Sequence, residues 1–163
     1  MIKYIKITAV NFLIFIAFVL IIEIIFGYWF DKDNLGPYMR EHRMKKALYT
    51  LKINNEEHKY VYKRNYYGFR GEEIDPKKIE AVIIGGSTTD ERYKPEEFTI
   101  TGYLNKNLKK NGINIEVVNA GIEGQSTRGH LSNFNDWFPK LKEFAPKYIF
   151  FYVGINDTGS SYK

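Results

Sequence analysis

Apolar positions along this 163-residue chain follow three rhythms. The first is almost unbroken: Ile7 to Phe26 is a 20-residue run interrupted only by Thr8, Asn11 and Glu23. At about 1.5 Å rise per residue it spans a hydrocarbon core of roughly 30 Å. Lys3 and Lys6 precede it, and Tyr28, Trp29 and Phe30 follow as an interfacial aromatic belt. A secretory signal has an apolar region of about 7–15 residues that ends in small residues. This run is longer and no such site follows it. The pattern therefore predicts a short tail over 1–6 and an uncleaved transmembrane anchor over 7–27. Glu23 falls a turn or so from the outer end, where a carboxyl is tolerated, although intramembrane ionisable groups also invite a functional role.

The second rhythm, over 28–79, is irregular and reads as a juxtamembrane stem and lead-in. Pro37 to Lys52 is expected to be a helix, with proline at its start and Met44, Ala47, Leu48 and Leu51 on one face. His58 to Lys63 is a short Tyr/Val-rich strand. Asn65-Tyr66-Tyr67-Gly68-Phe69-Arg70-Gly71 is turn-rich.

From Glu80 onward, short β-branched runs alternate with helical stripes. Ala81 to Ile84, Ile113 to Val118 and Tyr148 to Val153 are strand-like. A helix is expected from about Pro95 to Lys110, with Leu104 and Leu108 as its core face and Asn111-Gly112 as its C-cap. A second is expected over Thr127 to Phe144, with Leu131, Phe134, Phe138 and Leu141 as its stripe and Pro146 beyond its end. This alternation predicts an α/β fold with a parallel sheet and right-handed crossovers. Each strand ends in a Gly/Ser/Asn/Asp loop, so three loops should lie side by side at one end of the sheet, where open α/β sheets bind ligands.

Composition narrows the choices. Hydrophobic residues make up 44% and charged residues 26%, which excludes a disordered chain. Cysteine is absent, which excludes disulfides, thiol catalysis and cysteine-based zinc sites. No cluster of metal ligands or cofactor motif is visible. The net charge of +5, beside an apolar span, favours an anionic membrane surface over nucleic acid. No basic cluster with interleaved aromatics forms a nucleic-acid module. Lysines 3 and 6 lie before the span, and the basic residues after it begin mostly at Arg40. These charges lean to a domain outside a single-pass anchor without clearly placing it there.

Ile83-Ile84-Gly85-Gly86-Ser87-Thr88-Thr89-Asp90 is the stretch where chemistry is concentrated. A buried strand meets two glycines, which allow a sharp bend and keep bulk away from an approaching group. Ser87 then stands where a nucleophile, a helix cap or a phosphate loop is each possible. The phosphate loop lacks both G-x-G-x-x-G and the Walker lysine, and Asp90 and Glu91 follow in place of cations.

With Asn119-Ala120-Gly121-Ile122-Glu123-Gly124 and Gly154-Ile155-Asn156-Asp157, residues 80–163 resemble the SGNH hydrolases, the GDSL-like esterase superfamily. The resemblance implies a flavodoxin-like, three-layer α/β/α parallel sheet over 80–163. It implies that Ser87 is the nucleophile, and that the Ser87 and Gly124 N–H groups and the Asn156 side-chain amide are oxyanion donors. It implies no metal and no cofactor. Gly68-Phe69-Arg70-Gly71 is similar to a segment that precedes the first block in anchored members, and likeness to anchored envelope members implies a domain on the extracytoplasmic side. There Arg70 either meets an anionic substrate group or makes a structural ion pair with Glu72, Glu73 or a backbone carbonyl.

The family's fourth marker, a histidine in an Asp-x-x-His block, is missing. His42, His58 and His130 are the chain's histidines, and none has that context. A partial domain is therefore expected, inactive as this chain, acting by resemblance on O-acyl esters of a small molecule or cell-envelope carbohydrate. The alternatives are a non-catalytic carbohydrate- or acyl-binding module and a nucleotide-binding α/β domain.

Overall fold

A computed structural model describes residues 2–27 and 35–157, in two compact units divided between Asn34 and Leu35. The aromatic belt expected at 28–30 lies outside the described residues. The first unit is the helix α1 (Ile2–Phe26), with mean hydropathy 2.8 over its candidate span. It is long and apolar enough to cross a membrane by length and composition, a test that a signal sequence near an N-terminus also passes.

The second unit begins with one helical turn, α2 (Pro37–Arg40), and an antiparallel hairpin of β1 (Lys46–Ile53) and β2 (Glu56–Lys63). The helix expected over Pro37 to Lys52 is thus corrected to a single turn followed by a strand. Asn54 and Asn55, at φ 51° and 68°, form a two-residue turn of the hairpin-favouring hand. Pairing then brings Tyr49 opposite Tyr60, with ring centroids 5.9 Å apart. Cross-strand pairing and aromatic packing outweigh a weak helical stripe.

The α/β part follows. Its strands are β3 (Ala81–Gly85), β4 (Val117–Asn119) and β5 (Tyr148–Tyr152), all parallel, in the order β4-β3-β5. The one-turn helix α3 (Ser87–Asp90) follows β3 directly. The helix α4 (Ile100–Lys110) lies where it was expected, led in by a 3₁₀ turn at Glu96–Phe98. Thr99 caps it, its hydroxyl accepting from Gly102 N at 2.9 Å.

The second helix is shorter than its stripe suggested. α5 (Thr127–Ser132) gives way to a π turn at Asn133–Trp137 and a 3₁₀ turn at Phe138–Lys140. Pro139 lacks the N–H that an α-helix would use there. The widened turn seats Trp137 in full burial, with its Nε1 donating to Tyr67 O at 2.8 Å. Leu131, expected in the stripe, is exposed instead.

β3 is buried on both faces. Val82 and Ile84 pack with Phe69, Trp137, Phe138 and Leu141, while Ala81 and Ile83 pack with Val117, Leu104 and Leu108. The edges of the sheet differ. At β4, the Asn105 side chain accepts from Val117 N at 2.8 Å and donates to Val117 O at 2.9 Å. Arg70 N also donates to Asn119 O at 2.9 Å. At β5 the Thr89 hydroxyl donates to Tyr152 O at 3.5 Å, and every residue from Tyr148 to Tyr152 is at least 40% exposed.

Candidate functional site

The turn that carries Ser87 is fixed from below by buried charge. Asp90, the last residue of α3, is buried with its carboxylate 2.9 Å from Arg64 Nη1 and 2.8 Å from the Tyr62 hydroxyl, which donates to it. The same Arg64 nitrogen donates to Gly121 O at 2.7 Å, so one guanidinium joins the first and second glycine blocks. Arg70 donates to the carbonyls of Asp90 and Lys94 and pairs with Glu96 at 2.7 Å. Asn119 Nδ2 donates to Thr89 O at 2.7 Å. Arg70 is therefore structural, as one of its two readings expected, but its acidic partner is Glu96 rather than Glu72 or Glu73. Burial pushes the Tyr62 phenol above its usual range, and Arg64 opposes that shift. Arg64 and Tyr62 carried no sequence signal of their own. A lone arginine in a polar lead-in does not announce a buried partner 26 residues away.

Above this base the three sequence blocks meet at Gly86. A methyl group built there would stand 2.7 Å from Asn156 Nδ2 and 3.3 Å from Gln125 O. Ser87 begins α3, is exposed, and its hydroxyl makes no hydrogen bond among the described residues. Gly124 is exposed at φ 78°, a conformation that favours glycine, with open space where a side chain would point. Asn156 sits in the turn Ile155–Asp157 and donates through Nδ2 to Gln125 O at 2.9 Å. Asp157 accepts from Thr127 N at 2.8 Å and from the Thr127 hydroxyl. Those bonds hold its carboxyl below the usual range and make it a cap for α5.

The carbonyl that receives Asn156 is held from behind. The Gln125 side chain donates to Asn133 Oδ1 at 2.8 Å and to the Tyr38 hydroxyl, while Tyr38 donates to the same Asn133 oxygen at 2.7 Å. Gln125 Oε1 lies 2.9 Å from His130 Nδ1. His130 is buried, and burial lowers its pKa against the opposing pull of Asp157. It is thus a member of the Gln125 network. His42 lies beside Arg64, whose Nε donates to its carbonyl, and His58 lies on β2 near Glu56. Among the described residues, no histidine is hydrogen-bonded to Ser87.

A cavity of about 410 Å³ opens beside Ser87, with Arg92, Tyr93, Ile100, Glu123 and Tyr152 on its wall. Its charges are largely matched: Arg92 pairs with Glu123 at 2.6 Å and Lys94 with Glu91 at 2.6 Å. Among the described residues there is no group of three or more His, Asp or Glu side chains placed to hold a metal ion.

The molecule is thus a mixed α/β protein whose three-stranded parallel sheet presents a serine turn, a glycine loop and an asparagine turn at one point. No family model and no curated protein sequence matches the chain. Among solved structures, the crystal structure of AlinE4, described as an SGNH-hydrolase family esterase, aligns with 48% of this chain at 24% identity and a TM-score of 0.42. Two AlinE4 variants align over the same share at 24% and 23% identity, with TM-scores of 0.42 and 0.40. The alignment spans 42% of the AlinE4 chain.

Proposed function

We propose that this chain is the nucleophile-bearing part of a membrane-anchored serine ester hydrolase of the SGNH type. The observation that supports it is the meeting of Ser87, the Gly124-Gln125 loop and Asn156 around Gly86. In this reading Ser87 Oγ attacks an ester carbonyl carbon, and the carbonyl oxygen takes the negative charge. The N–H groups of Ser87 and Gly124 and the Asn156 amide are the donors to that oxygen. An amide has two N–H donors, so Asn156 can hold Gln125 O with one and meet the oxyanion with the other. The collapse of this intermediate expels the alcohol, and water then cleaves the acyl-serine. One such donor is typically worth about 2.7–4 kcal/mol of barrier.

An unassisted serine hydroxyl is a weak nucleophile at neutral pH. The base that would take its proton is not supplied by His42, His58 or His130 as they lie here. We therefore read the chain by itself as inactive, its base and further strands coming from another segment. The exposed β5 supports a sheet that continues beyond it into the family's three-layer, flavodoxin-like form, since long apolar edges invite further pairing. α1 would hold the domain at the bilayer on the extracytoplasmic side. O-acyl groups on a small molecule or envelope carbohydrate are the proposed substrates. Tyr93, Ile100 and Tyr152 on the wall of the Ser87 cavity are compatible with an acyl chain. The same unassisted serine also favours a second reading, a binding module that keeps the acyl or carbohydrate pocket without turnover.

The test uses the native protein captured from membranes and treated with a fluorophosphonate, whose phosphorus bonds to serine Oγ as fluoride leaves. A species heavier than 19.2 kDa that labels at Ser87, and not in Ser87→Ala, supports the hydrolase. A species of 19.2 kDa that does not label supports the binding module. A heavier species that stays unlabelled refutes the hydrolase.

A further inference from the structure

One face of the β1–β2 hairpin is turned away from what the domain buries. Directly opposed residues of an antiparallel pair share a face. The register therefore puts Lys46/Lys63, Leu48/Val61, Thr50/Lys59 and Lys52/Glu57 on one side. The other side carries Tyr49, Tyr60 and Tyr62, packed on one another and, through Tyr49, on Tyr93, with Tyr60 donating to Arg92 O at 3.1 Å. That side fastens the hairpin, and the first side is left to the surroundings. There Leu48 is 69% and Val61 56% exposed, an apolar pair in the middle of four lysines and one glutamate. Lys52 pairs with Glu57 and Lys63 with Glu72, while Lys46 and Lys59 have no acidic partner among the described residues.

We infer that this face rests on an anionic lipid surface, with the Leu48–Val61 pair entering the headgroup layer and Lys46 and Lys59 meeting lipid phosphates. A small apolar centre ringed by lysines is the composition that adsorbs to such an interface. The inference deepens the anchored reading and rests on it: only seven residues, 28–34, separate Gly27, just past α1, from Leu35, where the second unit starts. A second copy is a poorer occupant. A two-fold contact sets a face against itself, and here that would oppose lysines to lysines.

The chain has no native cysteine, so the full-length protein carrying Leu48→Cys takes a single nitrobenzoxadiazole probe. It is reconstituted into vesicles of phosphatidylcholine, alone or with phosphatidylglycerol. The same probe at Lys109→Cys, on the exposed surface of α4, is the reference. The expected result is blue-shifted emission at position 48, quenched by headgroup spin-labelled lipid, only when phosphatidylglycerol is present. Lys46→Glu with Lys59→Glu should abolish the shift, and position 109 should stay solvent-like throughout. A solvent-like probe at 48 in both vesicles overturns the inference. So does shielding that is independent of phosphatidylglycerol and grows with protein concentration, which assigns the face to a second copy. Flotation reports the anchor separately. Flotation with both vesicle types supports it, flotation only with phosphatidylglycerol refutes the anchor and keeps the lipid-binding face, and no flotation refutes both.

Discussion

Asp90→Ala removes the carboxylate under the Ser87 turn and leaves Arg64, whose side chain is 2% exposed, as a charge without a counterion. The Tyr62 hydroxyl loses its acceptor at the same time. Arg64 keeps the carbonyls of His42 and Gly68 at 2.8 and 3.0 Å and that of Gly121, which solvate the guanidinium without neutralising it. Removing one partner of a buried ion pair costs about 3–5 kcal/mol, a large part of the roughly 5–15 kcal/mol that holds an ordinary domain together. With a urea slope of about 2 kcal/mol/M, the unfolding midpoint should fall by roughly 1.5–2.5 M. The titration is followed by Trp137 fluorescence in a Trp29→Phe background of the full chain in detergent, which leaves one tryptophan, fully buried. The two partners should also be coupled. Arg64→Met and Asp90→Ala taken singly should together cost about 1–3 kcal/mol more than the double variant. Lys52→Ala, which breaks the exposed pair with Glu57, is the reference and should cost no more than about 1 kcal/mol. An Asp90→Ala loss as small as that of Lys52→Ala would refute the claim that this pair supports the Ser87 turn.

Two more outcomes concern the glycines of the site. Gly86→Ala should cost about 1–3 kcal/mol by forcing Asn156 away. Gly124→Ala, in open space but at φ 78°, should cost about 1–2 kcal/mol from backbone strain alone. A silent Gly86→Ala in the same titration would mean that Asn156 does not sit over Gly86. Acid should also weaken the fold. His130 and His42 both have pKa values lowered by burial, with Arg64 adding to the effect at His42 and Asp157 opposing it at His130. Their neutral forms therefore favour the folded state. That stability is complete above the ordinary histidine pKa of about 6.5 and is lost as the pH falls below it through the lowered values. Urea midpoints should drop between neutral and mildly acidic pH, and His130→Asn should shallow that drop. An unchanged slope would remove His130 as a contributor.

The parts of the fold written in contiguous residues were legible. Ala81 to Ile84 is a continuous apolar run and became the central strand, buried on both faces. Leu104 and Leu108 lie one helical turn apart and pack where that spacing put them. Gly-Gly-Ser at the end of a strand placed Ser87 just past β3, where it begins the one-turn helix α3. The stretch from Pro37 to Lys52 misled because Met44, Ala47, Leu48 and Leu51 satisfy a helical period while the same segment also pairs as a strand. The turn at Asn54-Asn55 and the pairing of Tyr49 with Tyr60 decided between them. Thr127 to Phe144 misled in the other direction: its stripe is helical, but Pro139 and the burial of Trp137 required a wider turn.

By itself the sequence determined one apolar span, three strands with two helical connections, and three loops rich in Gly, Ser and Asn at the strand ends. These depend on spacing along a single segment, and local periodicity records them. Only the tertiary structure decided what the loops touch. It set the Asn156 amide over Gly86, clamped Gln125 between Tyr38, Asn133 and His130, and pinned the serine turn through Arg64 and Arg70. Each of those contacts joins polar residues brought together by folding. Their energy comes from burial and specific partnership, which no stretch of sequence records until the chain has closed around them.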